Sequence, residues 1–125
     1  DLLPLAGETD SKIYFSSHFV ATDADPVVQS FVKKYQEATG GNDPGAMAAL
    51  GYDAMYAVYG AAMKAKKARG AEKVRPQDLA DGFKGLEFTG VTGKILIGPD
   101  RTPRKAIVIV RAAGTFQFVE KIQPE

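Results

Sequence analysis

Ala48-Ala49-Leu50-Gly51-Tyr52-Asp53-Ala54 opens the longest unbroken segment of this chain, and its reading decides the fold. From about Ala46 to Arg69 nothing stops a helix except two internal glycines, Gly51 and Gly60. A stretch of that length is far beyond an ordinary strand. Met47, Leu50, Ala54, Val58 and Ala61 recur at helical spacing, and Tyr52, Met55, Tyr56, Tyr59 and Met63 make a second apolar stripe. A helix apolar on most sides is expected to be largely buried over its first turns. Each internal glycine costs roughly 1 kcal/mol against alanine, so close backbone packing is the expected reason for both. The last turn changes character: Lys64, Lys66, Lys67 and Arg69 complement the negative end of the helix dipole and are expected in water, with Gly70 closing the segment.

The flanks supply the rest of the order. Ile13-Tyr14-Phe15 is a short apolar run that suits a strand, and Ser16-Ser17-His18-Phe19 leads out of it. Asp25 before Pro26 starts a helix: the carboxylate accepts from free backbone N–H groups, and proline at the first helical position loses no hydrogen bond. Val28, Phe31, Val32 and Tyr35 then follow on one face, and Gly40 offers a left-handed stop. Pro76 begins a shorter third helix with Leu79, Phe83 and Leu86 on one face. Beyond it the period changes. Thr92 to Ile97 reads as a strand, Gly98 to Pro103 as a turn, and Lys105–Ala112 and Thr115–Ile122 as a hairpin around Ala113-Gly114, its first strand interior. Strand, three helices and then strands make an α/β or α+β unit.

Composition narrows the function classes. A chain of 125 residues with 45% hydrophobic residues can bury one core. Sixteen basic against fifteen acidic side chains leave a net charge of +1, so no summed field draws it to nucleic acid or anionic lipid. With no cysteine there is neither a disulfide nor a thiolate nucleophile, and the compartment stays open. Asp1-Leu2-Leu3-Pro4-Leu5 has no basic flank and is too short for a signal-peptide core or a membrane span, which reads as a mature or truncated chain.

Catalytic chemistry finds little purchase. One histidine and no cysteine support no metal site; Asp25 is explained by capping and Asp23 by solvent. Ser16, Ser17 and His18 alternate faces on an extended segment, so a nucleophile and its base do not meet. Gly90-Val91-Thr92-Gly93-Lys94 lacks the spacing of a phosphate loop, and its glycines read as turn residues. His18 and Phe19, at a strand exit, read either as cleft residues, the imidazole donating to a ligand carboxylate, or as an ordinary loop. Tyr52, Tyr56 and Tyr59 read as core packing with rim hydroxyls or as an aromatic wall, and the lysines at the helix end as a solvated terminus rather than a basic patch.

Four segments occur in an order that resembles the C-terminal part of the periplasmic substrate-binding proteins of branched-chain amino-acid ABC transporters. They are Ile13–Phe19, Asp25-Pro26 with Phe31–Tyr35, Ala49–Ala54, and Gly90–Ile95. The resemblance implies an α/β fold of the type I periplasmic binding protein, two lobes joined by hinge strands, of which residues 1–125 are a single C-terminal fragment. It places residues 1–20 and 98–125 in strands of the second lobe and 25–90 in helices of the first, with hinge crossings near His18–Thr22 and Thr89–Gly98. It implies solute binding rather than catalysis, no cofactor, and a periplasmic or otherwise extracytoplasmic, membrane-associated location. The implied partners are an amino acid or related small acid, a membrane permease, and the N-terminal part that carries the other polar anchors. Met47 falls where such proteins set an apolar side chain against ligand; Tyr52 supports the helix start from behind, and His18 and Phe19 leave the cleft wall. A second expectation is a piece that associates with itself or with a complementary fragment, because elements of two lobes leave sheet edges open.

Overall fold

Local signals set the first helix. In a computed structural model that describes residues 13–70 and 73–124, Asp25 Oδ1 accepts from the Val27 N–H at 2.9 Å, and helix α1 runs Pro26–Thr39. It ends on Gly40, whose φ of 71° permits the left-handed cap in which the Gly40 N–H donates to the Gln36 carbonyl. Val28, Phe31 and Val32 are its buried residues. Helix α2 spans Ala46–Arg69 and α3 the shorter Pro76–Gly82. The Asp78 carboxylate caps α3, accepting from the Arg75 N–H at 2.9 Å and from the Arg75 guanidinium at 3.0 Å. The readings placed on Asp1–Leu5 and the first part of 1–20 lie outside the described residues.

The strands form two separate three-stranded antiparallel sheets. One has the order β1 (Ile13–Ser17), β5 (Ile107–Ala113), β6 (Thr115–Ile122), with β5 in the middle. The other has β2 (Glu87–Gly90), β3 (Gly93–Ile97) and β4 (Pro103–Lys105). The chain passes between the sheets twice, along Ser17–Asp25 and at Ala106. Val20, Val108 and Val110 pack with Phe15, Phe116 and Phe118 on the first sheet. A second cluster joins Phe19, Val28, Phe31, Val32, Ala49 and Val91. The Thr22 side chain ties the first crossing to β6, donating to the Phe116 carbonyl at 3.0 Å and accepting from the Phe118 N–H at 3.1 Å.

Several expectations are corrected. The run Lys105–Ala112 is not one strand; it divides at Ala106, and Thr89–Gly98 stays within a single hairpin, so the second passage between sheets lies further along the chain. Strands β2 and β4 were not expected at all. Helix α2 is not buried on most sides: its buried residues are Ala49, Asp53, Ala61 and Ala65, whereas Met55, Tyr59 and Met63 are exposed. Tyr56 and Tyr59 are therefore not core tyrosines. Gly60 does sit against Leu86, but nothing approaches Gly51. Asp23 is buried rather than solvated, holding the Asp25 N–H at 3.0 Å and Lys121 Nζ at 2.9 Å. Arg69 is not left in water either, since its Nε lies 3.4 Å from Asp78.

Candidate functional site

The one acidic residue inside the apolar run is its anchor. Asp53, buried on α2, accepts from the Val91 N–H at 2.7 Å, from the Thr92 N–H at 2.9 Å and from the Thr92 hydroxyl at 2.5 Å. These groups form the two-residue loop between β2 and β3, which otherwise leaves its backbone donors unpaired. A Cβ at Gly90 would fall inside contact distance of the Asp53 carboxylate, so the residue beside the loop has to be glycine. The pairing fixes the start of α2 against the second sheet, and of three cavities around α2 the first and third border it.

The first, of about 350 Å³, lies between α1, the start of α2 and the β2–β3 loop, and Phe31, Lys34, Tyr52, Tyr56 and Val91 line it. Phe31 and Tyr52 rings are 4.9 Å apart, as are Tyr52 and Tyr56, whose hydroxyls meet at 3.1 Å. That hydrogen bond, helped by burial and by the neighbouring Tyr56 and Asp53 charges, raises the Tyr52 phenol above its ordinary range. The second cavity, about 280 Å³, separates the first sheet from the loop leading into α2; Phe15, Ser17, Phe19, Thr22, Asp43 and Ala46 are on its walls. The third, about 290 Å³, lies between α2, Phe83 and the second sheet, walled by Leu50, Ala57, Phe88 and Ile95. Lys105 enters it with a buried Nζ that has no hydrogen-bond partner among the described residues. Burial lowers the pKa of this ammonium, the Asp53 charge acting in the opposite direction.

The four residues singled out in the sequence are not brought to one place. Phe19 is buried, edge-on to Phe31 at 5.8 Å, and forms part of the second cavity wall. Tyr52 also meets the Phe31 ring, at 4.9 Å, in the first cavity. His18 is exposed beside Phe19. Met47 is 81% exposed, the most open of the large apolar side chains on α2. Sequence reasoning missed Asp53, Lys34, Thr22 and Asp43. Only Asp53 carried a signal: a lone carboxylate among apolar helical residues is rarely buried without partners, so it asks for donors elsewhere in the chain.

Solved structures share this arrangement. A leucine-binding protein, LivK, from Thermotoga maritima matches with a TM-score of 0.76 and 28% identity, over 98% of this chain and 34% of its own length. A solute-binding protein of an ABC transporter from Rhodopseudomonas palustris BisB5, in complex with 3,4-dihydroxybenzoic acid, matches at 0.78 and 25%, over 98% and 34%. A leucine-, isoleucine-, valine-, threonine- and alanine-binding protein from Brucella ovis, at 16% identity, shares the fold with a TM-score of 0.78 over 97% of this chain and 33% of its own. No curated protein matches the chain. The chain thus spans about a third of the length of the solved structures it matches. Residues 1–116 match the model of the periplasmic binding protein family, and with nearly the whole sequence accounted for in that way the chain belongs to this family, in its type I fold.

Proposed function

We propose that the chain is part of the solute-binding component of an ABC importer for amino acids or related small carboxylic acids, and that it supplies one side of the cleft in which the solute is held. The observation that carries this reading is the second cavity, where the loop Asp43–Ala46 at the head of α2 faces Phe15, Ser17 and Phe116 of the first sheet. In this reading β1, β5 and β6 belong to the second lobe and α1, α2 and α3 to the first. The chain returns to the second lobe at Ala106, where it changes sheet. In this reading Met47 and His18, each next in sequence to a residue of the cavity wall, contact solute, Phe19 backs the wall, and Tyr52 holds the start of α2 from behind.

The protein works outside the cytoplasm, closes around its ligand and delivers it to a membrane permease without turnover. Ligand shifts the open and closed forms only by its differential affinity for the closed one. The rest of the polar anchors come from an N-terminal part. In the N-terminally extended protein, Met47→Ala is expected to weaken solute binding about tenfold, the loss of one well-packed apolar contact. Calorimetry with leucine and related acids measures it, and an unchanged affinity would remove Met47 from the cleft.

A second reading rests on a different observation. Met47, Met55 and Val58 are 81%, 67% and 41% exposed on one side of α2, and a Cβ at Gly51 on the same side would meet nothing. This is a face shaped for close approach by another chain segment, so the isolated chain associates with itself or with a complementary fragment. Sizing over a concentration series tests it: a monomer at every concentration excludes self-association.

A further inference from the structure

The first cavity has a chemistry that the cleft reading does not use. Its walls are the rings of Phe31, Tyr52 and Tyr56, with the hydroxyls of Ser30 and Thr89 at its edge. Among the described residues of its lining, Lys34 is the only charged one. Among the described residues Lys34 has no ion pair or hydrogen-bonding partner, and the Ser30 and Thr89 hydroxyls have none either. In the Tyr52–Tyr56 hydroxyl pair one O–H donates to the other, which leaves the second O–H free to donate to a guest. A volume of about 350 Å³ falls at the lower end of small-molecule sites.

An aromatic box with a single unpaired cation at its mouth selects a flat apolar body with one negative end. We propose that this cavity is a second small-molecule site, separate from the cleft, that takes a small aromatic carboxylate, its acid group on Lys34 Nζ and its ring against Phe31 and Tyr52.

Titrating benzoate into the full chain while following backbone amide NMR signals tests this. Benzoate is expected to give saturable shifts centred on Ser30, Tyr56, Thr89 and Val91. Benzamide, the same shape without the charge, is expected to bind at least about fivefold more weakly, and Lys34→Gln to weaken benzoate by a similar factor, the size of one exposed ion pair. Lys34→Arg, which keeps the charge, is expected to restore most of the affinity. Lys34 is on the surface, so these variants keep the fold. Three outcomes would overturn the proposal: no saturable shift, equal binding of benzamide, or equal binding by Lys34→Gln. Shifts centred on Thr22 and Ala46 would do so as well, since they would put the acid in the cleft cavity.

Discussion

The two sides of α2 are held in opposite ways. Toward the β2–β3 loop, a single carboxylate, Asp53, gathers three donors from residues 38 and 39 positions away, and Ala49 next to it is wholly buried. On the other side Met47, Met55 and Val58 carry apolar surface and are 81%, 67% and 41% exposed. Position within the fold, not hydrophobicity, decides which side is structural. A buried polar group with all its partners specifies one geometry, whereas an apolar stripe packs against whatever covers it.

Breaking the anchored side is expected to have the largest effect. Asp53→Ala leaves the Val91 and Thr92 donors unpaired in a buried loop, at a cost of about 3–5 kcal/mol, visible as a fall in the urea midpoint. Gly90→Ala pushes the same carboxylate aside from the opposite direction and is expected to cost about 2 kcal/mol in the same assay. Should either variant unfold at the wild-type midpoint, Asp53 is not the anchor.

Lys105 sharpens the comparison from the second sheet, because it is a polar group without the partners Asp53 has. Its ammonium is disfavoured by burial, so its folded pKa lies below the ordinary 10.5. Between the folded and unfolded values the unfolded chain binds more protons, and stability is expected to rise with pH across that alkaline window. Lys105→Met is expected to stabilise the chain by about 1 kcal/mol at neutral pH, a small gain because the residue is only partly buried, and to abolish the rise. Thermal unfolding at several pH values reads both. A loss of stability in Lys105→Met would show that the amine has a partner after all.

The open side is expected to respond least. Met55→Ser changes an exposed side chain and is expected to move stability by less than about 0.5 kcal/mol in denaturant unfolding. A cost of several kcal/mol would mean that this side is already packed.

The same contrast explains what could be read from the sequence. Helix α1 was legible end to end, because Asp25, Pro26 and Gly40 act through neighbouring backbone groups. The β5–β6 hairpin was legible for the same reason. Strands β2 and β4 are short and largely polar at alternate positions, and their existence depends on β3 lying between them. Which sides of α2 are buried could not be read, because apolar residues surround it and periodicity then loses its direction. Of the candidate site, Phe19 is legible from its place at a strand exit and Tyr52 from the aromatic stripe of α2, but their sharing of the Phe31 ring is a tertiary fact. Lys34 and Thr22 looked like ordinary surface residues.

In the proposed function this chain supplies one side of a solute cleft and needs further lobe segments to close on its ligand. Calorimetry of the chain alone with leucine and other aliphatic amino acids tests it most directly. The account predicts no saturable heat at millimolar ligand, since one wall without its opposing anchors gives too little differential binding. Micromolar affinity from these 125 residues alone would contradict it, and would place the polar anchors within the chain itself.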